Sequence, residues 1–279
     1  MDGKTQLFGL LGWPVGHSHS PAMHNAAAAA LGLNWAYVPL PARPERLGDA
    51  LRGLVALGFR GANVTVPHKE AVLPHLDAVY PAARIIGAVN TIVIGDGWLT
   101  GFNTDWSGFL ADLESYRLAL YGRDCLVLGA GGSARAVVYA LLRRGCRVTV
   151  LARRPEQAQQ LVAELGRAFP EATLRADELA NAIAAAAGLD EPIVINTTPL
   201  GMTGANVDLS PWPDAPLPVG AFVYDLVYNP RRTRLLHQAE ADGRRAANGL
   251  GMLVRQAAEA FEIITGRRPD PQVMRAAVE

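Results

Sequence analysis

The chain has 279 residues, half of them apolar, and its 26 lysines and arginines balance 26 aspartates and glutamates. That supplies a substantial core and enough length for two domains, while zero formal charge leaves no basic stripe for a nucleic acid backbone. The N-terminus lacks the apolar run of a signal peptide and the alanine-rich stretches are too short to cross a bilayer, so the expected address is cytoplasmic, away from any membrane.

Apolar or β-branched runs at residues 6–11, 35–40, 62–66, 125–128, 148–151, 193–195 and 222–224 alternate with longer helical patterns. Such alternation predicts parallel sheets covered on both faces by helices, an α/β fold. A new strand enters a glycine-rich turn soon after Asp105, which is how an independent nucleotide-binding unit begins. Residues 1–105 are therefore expected to form a separate domain, a mostly parallel α/β sandwich. Residues 106–248 are expected to form a doubly wound, Rossmann-type domain. The stretch from Gly249 reads as an amphipathic helix, a proline stop and a short last helix, so residues 249–279 should pack back on the first domain. Pro211, Pro213, Pro216 and Pro218 mark a surface loop. Cys125 and Cys146 have neither CxxC spacing nor nearby histidines, so both read as core residues, with no disulfide or metal signalled.

Gly129-Ala130-Gly131-Gly132-Ser133-Ala134 follows an apolar strand and opens a helical pattern over 134–144. The first glycine allows the tight turn, the second lets backbone approach a pyrophosphate, and a small third residue lets helix lie close to strand. Helix N–H groups and positive potential then face the phosphates. An NAD enzyme would end the next strand in an acid, whereas here it ends in Ala152-Arg153-Arg154. Two guanidinium groups suit a 2′-phosphate, so the expected cofactor is NADP.

Three segments of the first half are unusually polar. Gly12 to Pro21 holds Ser18 and Ser20, whose hydroxyls suit a small polyhydroxylated acid, although Ser20 reads equally well as the N-cap of the helix that Pro21 begins. Residues 63–70, Asn-Val-Thr-Val-Pro-His-Lys-Glu, deliver Thr65 and Lys69 to the carboxyl end of a strand, where ligands of open α/β sheets sit. Gly87 to Thr91 offers Asn90, and Gly101 to Asp105 offers a carboxylate that is either a helix cap or a catalytic group. His17, His19, His24, His68, His75 and His237 form no cluster with metal spacing; His24 and Asn25 are expected to steady the first helix against the serine loop.

The segments HSxSP, NVTVPHK, GAVNT, GxNTDxxG, GAGGSARA, NTTPLGM, DLVYNPxxT and NGLGMLxxQ, in that order, make the chain resemble the shikimate dehydrogenase family over nearly its whole length. The resemblance implies NADP-dependent, reversible oxidation of shikimate to 3-dehydroshikimate, a step toward aromatic amino acids. It implies that Ser18 and Ser20, with Tyr228, bind the substrate carboxylate, and that Thr65, Lys69, Asn90, Asp105 and Gln256 hold the ring hydroxyls. On the cofactor side it implies contacts from Gly129, Ala130, Gly131, Gly132 and Ser133, from Arg153 and Arg154, and from Leu226 and Gly249 near the nicotinamide. Thr197 and Thr198 would line the loop beneath the cofactor. Where the family often has asparagine before its 2′-phosphate arginine, this chain has Ala152.

Oxidising an alcohol takes a hydride from carbon and a proton from oxygen, so a positioned group must accept the proton. Lys69 is the expected acid/base and Asp105 its orienting partner. The rivals are a quinate/shikimate dehydrogenase of broader use, a folate-type dehydrogenase, for which paired serines have no purpose, and an NADP-sensing module, which would need neither Lys69 nor Asp105. A homodimer is left open. Replacing Arg153 and Arg154 together by alanine is expected to raise the Michaelis constant for NADP far more than for NAD, and equal losses in a steady-state assay would refute the phosphate role.

Overall fold

A computed structural model describes residues 1–16, 18–204 and 206–279, so the expectation for His17 lies outside the described residues. The strands are β1 (Gln6–Gly12), β2 (Trp35–Pro41), β3 (Gly61–Val64), β4 (Ala78–Val79), β5 (Thr91–Gly95), β6 (Trp98–Phe102), β7 (Asp124–Leu128), β8 (Arg147–Ala152), β9 (Leu174–Glu178), β10 (Ile193–Asn196), β11 (Phe222–Asp225) and β12 (Arg245–Asn248). The helices are α1 (Ser20–Ala30), α2 (Leu47–Ala56), α3 (His68–Ala71), α4 (Pro81–Ile86), α5 (Asp105–Ser115), α6 (Gly132–Arg143), α7 (Pro155–Gly166), α8 (Ala182–Ala186), α9 (Arg234–Ala241), α10 (Leu250–Thr265) and α11 (Pro271–Ala276). None of the described helices is long and apolar enough to cross a membrane. The chain divides into two compact units, Met1–Gly108 with Leu253–Glu279, and Phe109–Met252.

The first unit is built on a six-stranded sheet in the order β2-β1-β3-β5-β6-β4. β1 pairs in parallel with β2 and β3, β5 runs antiparallel to both β3 and β6, and β4 is parallel to β6. Only β5 is therefore reversed, a local departure from the parallel alternation expected of the sequence. Its cause is the short β5–β6 hairpin at Asp96-Gly97, two residues with positive φ of 50° and 82°. So tight a connection can join only antiparallel strands. Leu11, Val64, Ile92 and Leu99 meet Leu47, Leu51 and Leu54 of α2 in one apolar cluster.

Elsewhere in this unit, among the described residues, Asn25 and the His24 ring meet β2 and not the serine loop. Asn25 exchanges two hydrogen bonds with the Tyr37 backbone, at 2.9 and 2.8 Å, and the His24 ring stacks on Tyr37 at 4.2 Å. Helix α1 is thus fixed to β2 instead. Burial lowers the His24 pKa to about 3, so its imidazole is neutral.

The second unit is a six-stranded parallel sheet in the order β12-β11-β10-β7-β8-β9. Strand order reverses between β7 and β10, the topological switch at which doubly wound sheets hold ligands. The proline-marked stretch is not wholly a surface loop, because Trp212 and Leu217 are buried in the core with Val194, Val223 and Leu235. Cys125 and Cys146 are buried free thiols.

One buried polar contact constrains this unit. Tyr224 donates from its hydroxyl to Asp112 Oδ2 at 2.7 Å, and burial together with the neighbouring carboxylate pushes the phenol well above its ordinary pKa. A side chain on Gly251 would overlap the Asp112 carboxylate. Gly251→Ala is expected to cost about 2–4 kcal/mol, because it drives a buried acceptor off its donor; a chemical denaturation curve with an unshifted midpoint would count against this account.

Candidate active site

Topology gathers four polar segments at one end of the first sheet. β1 and β3 are parallel neighbours, so the residues after Gly12 and after Val64 emerge side by side. Because β5 is reversed, its beginning lies at that same end: Asn63 is registered against Thr91 and Thr91 against Phe102. Asn90 just before β5 and Asp105 three residues beyond β6 are thereby delivered to the carboxyl ends of β1 and β3.

Lys69 Nζ donates to Asp105 Oδ2 at 2.7 Å, with the two side chains 13% and 7% exposed. The pair is sheltered yet reachable, so removing either partner would leave the other charge poorly satisfied. Asp105 is not the cap of its helix. Asn103 takes that role, its Oδ1 accepting from the backbone N–H of Asp105 at 3.0 Å and of Trp106 at 3.4 Å, which frees the Asp105 carboxylate. Lys69 sits on the single turn α3, fixed because the Lys69 carbonyl accepts from Val89 N at 2.8 Å and His68 Nε2 lies 2.8 Å from the Ala42 carbonyl.

The Asn90 carboxamide organises the rest. Its Nδ2 donates to Thr104 Oγ1 at 2.9 Å, Asp105 Oδ1 at 3.0 Å and Gln256 Oε1 at 3.3 Å. Its Oδ1 accepts from Thr104 N at 2.8 Å and Thr91 Oγ1 at 3.0 Å. Lys69, Asn90, Asp105 and Gln256 are therefore joined in one network. Behind it, Tyr37 Oη donates to Asn63 Oδ1 at 3.0 Å, and Asn63 Nδ2 donates to Thr91 Oγ1 at 3.1 Å. Thr65 follows β3 directly, its N–H donating to the Leu11 carbonyl at 2.9 Å.

Ser18 and Ser20 hydroxyls lie 3.2 Å apart. Ser20 is the first residue of α1 rather than its cap, and His19 at the cap position makes no side-chain capping bond. Ser18 Oγ instead accepts from the Ser20 N–H at 3.2 Å. Sequence reasoning alone misses Thr104, Asn63 and Tyr37. A buried asparagine within the apolar run Ala62 to Val64 is the signal for Asn63, since a polar side chain there needs a built partner.

In the second unit, Gly129 has φ of +113°, and a Cβ there would lie 2.5 Å from Thr197 Oγ1. Thr197 closes the switch point by donating from both N and Oγ1 to the Leu128 carbonyl, at 2.9 and 2.8 Å. Gly131 precedes α6 without a side-chain cap, and the space beside its Cα is open. The residues from Gly129 to Ser133 thus form a glycine-rich cradle at a helix N-terminus, fit for a pyrophosphate. α6 starts at Gly132, two residues earlier than the sequence pattern suggests. Arg153 and Arg154 are exposed after β8, and Arg154 is the residue preceding α7. Leu226 and Gly249 follow β11 and β12, and any side chain on Gly249 would overlap the Leu226 carbonyl. Tyr228 lies two residues beyond Leu226 and is half-buried. Among the described residues no group of three or more histidine, cysteine or acidic side chains is arranged to hold a metal ion.

Comparison with known proteins gives the chain's relatives. A family model described as the shikimate dehydrogenase substrate binding domain matches residues 10–92. Models described as shikimate / quinate 5-dehydrogenase and as shikimate 5′-dehydrogenase C-terminal domain match 112–198 and 249–279. A protein from Salinibacter ruber named shikimate dehydrogenase (NADP(+)) is 52% identical over 272 residues, covering 96% of this chain and 94% of the relative. The crystal structure of shikimate 5-dehydrogenase from Thermus thermophilus in complex with NADP(H) and shikimate is 42% identical, with a TM-score of 0.85 and 98% of each chain covered. Quinate dehydrogenase from Corynebacterium glutamicum in complex with NAD is 35% identical, with a TM-score of 0.87 and 98% of each chain covered.

Gly108 completes the polar network by its lack of a side chain. A Cβ there would lie 2.7 Å from Gln256 Cβ and 2.8 Å from its backbone nitrogen, so α10 would have to move. Gly108→Ala is expected to raise the Michaelis constant for the alcohol substrate about tenfold with that for the dinucleotide nearly unchanged; a kinetic assay in which both stay at the parent value would show that Gln256 is not held by this contact.

Proposed function

The chain belongs to the shikimate dehydrogenase family, and on that premise we propose that it catalyses the reversible oxidation of shikimate to 3-dehydroshikimate with NADP. The observation that carries the reading is the 2.7 Å pairing of Lys69 Nζ with Asp105 Oδ2 in a network that also holds Asn90 and Gln256.

The first unit, with its C-terminal segment, takes the acid, and the second takes the dinucleotide. When bound, NADP supplies the hydride acceptor. Lys69 Nζ, as the neutral amine, accepts the hydroxyl proton as the carbonyl forms and, as the ammonium so produced, returns it in the reverse direction. Asp105 holds the lysine amine through Oδ2 and is itself fixed through Oδ1 by Asn90. Thr65, Asn90 and Gln256 orient the other ring hydroxyls. Ser18 and Ser20, whose paired oxygens are adjacent, bind the carboxylate together with Tyr228.

Gly129 through Ser133 receive the pyrophosphate, Arg153 and Arg154 the 2′-phosphate, and Thr197, Leu226 and Gly249 the nicotinamide side. Ala152 contributes no side-chain hydrogen bond to the adenosine, so the phosphate selectivity rests on the two arginines. Quinate is the second substrate to test, since one matching family model spans both acids; the retention of both serines favours shikimate. Absorbance of reduced nicotinamide with each acid and each dinucleotide separates the four combinations, and turnover of neither acid would overturn the reading.

Lys69→Ala is expected to lower kcat by about 10²- to 10⁴-fold with a smaller change in substrate affinity. Asp105→Asn retains shape without charge and should fall between that variant and the parent. Near-normal turnover in the alanine variant would move the proton-transfer role to another group.

A further inference from the structure

A second buried network, wholly within the dinucleotide unit, is used by none of the steps above. Asn196 and Asp225 end the neighbouring strands β10 and β11, are registered opposite each other, and are fully buried. Asn196 Nδ2 donates to Asp225 Oδ1 at 2.8 Å and to the Leu200 carbonyl at 3.1 Å. Asn196 Oδ1 accepts from Thr198 N at 2.8 Å and Thr198 Oγ1 at 2.7 Å. One carboxamide thus closes the loop of residues 197–200.

Asp225 does the same for the next loop. Its Oδ1 also accepts from Val227 N at 3.0 Å, and its Oδ2 accepts from Thr233 Oγ1 at 2.6 Å. Thr233 in turn caps α9 by accepting from Leu236 N at 3.3 Å. The carboxylate therefore grips residues 226–233 at both ends and ties them, through Asn196, to residues 197–200. Further out, Thr203 N donates to the Asn229 carbonyl at 2.9 Å, and the Thr203 and Asn229 side chains meet at 3.1 Å. All three groups that meet the carboxylate are donors, so an acceptor-only side chain satisfies every one of them. Burying a charge is costly unless it is so satisfied, which argues that the junction serves a purpose beyond packing.

We propose that Asp225 is a positioning residue for the nicotinamide half of the cofactor. Its carboxylate holds the loops 197–200 and 226–233 in the arrangement that brings Leu226 to that half. The adenosine half is held elsewhere, by the turn after β7 and the arginines after β8, so the two halves separate experimentally. The inference rests on the cofactor assignment made under the proposed function.

The test measures dissociation constants of NADP and of adenosine 2′,5′-bisphosphate, which lacks the nicotinamide half, by titration calorimetry on the full chain. Asp225→Ala is expected to weaken NADP by about tenfold or more and to leave adenosine 2′,5′-bisphosphate within about twofold, with kcat lowered by about 10²-fold through misplacement of the ring. Asp225→Asn preserves volume and the acceptor facing Asn196 and Val227. It should give the same pattern at about threefold, and it carries the test if the alanine variant does not fold. Equal weakening of both ligands would mean a general loss of the sheet and would overturn the proposal, as would unchanged NADP binding. A parent chain that binds neither nucleotide overturns the cofactor assignment and this inference with it, an outcome distinct from any difference between variants.

Discussion

The Asn90 carboxamide is the constraint on which the polar network of the first unit depends. A buried amide must have its donors and acceptor satisfied, or it costs about 1–3 kcal/mol for each group left unmade. Here the partners come from β5, from the residues just before and at the start of α5, and from α10. Satisfying one side chain thus brings three separate stretches of chain to common positions. Asp105 cannot rotate away from Lys69 without breaking its bond to Asn90. The ion pair is held from behind as well as by its own attraction, a form of preorganisation that lowers the cost of orienting a reacting group.

The second unit is held by close approach. Gly129 lies against Thr197, Gly249 against the Leu226 carbonyl, and Gly251 against Asp112. In each case a single added carbon would separate two segments that have to touch. Only Gly129 of the three requires a left-handed backbone; the other two are glycines for space alone. The first two contacts lie at the carboxyl ends of β7, β10, β11 and β12, where the N-terminus of α6 favours an anion.

Much of this was legible in the amino acid sequence. Strand and helix alternation indicated the α/β class, and the turn from Gly129 to Ser133 was recognisable from its flanks. Lys69 and Asp105 could be placed after apolar runs, but their pairing was read from the family resemblance rather than from local pattern. Other features were hidden for physical reasons. The reversal of β5 depends on a two-residue hairpin whose importance is topological, and without it Asn90 would lie at the opposite end of the sheet from Lys69. Ser20 and Asp105 each fitted a capping role from composition. Which residue caps is decided by backbone geometry, and here Ser18 and Asn103 take the nearby backbone N–H groups. Trp212 and Leu217 show the same limit, since prolines announce an irregular path but not whether it dips into the core. The Tyr37–Asn63–Thr91 relay links residues 26 to 28 positions apart, a spacing no local pattern encodes.

The first unit is discontinuous, borrowing Leu253–Glu279 from the far end of the chain. On the ribosome, all residues of the second unit therefore exist before the first unit has its last piece. Gln256, which belongs to that late piece, joins Asn90 and Thr104 only after the whole dinucleotide unit has been made. A chain ending just short of Gln256 would hold every residue of the second unit yet lack the side chain that completes the Asn90 network.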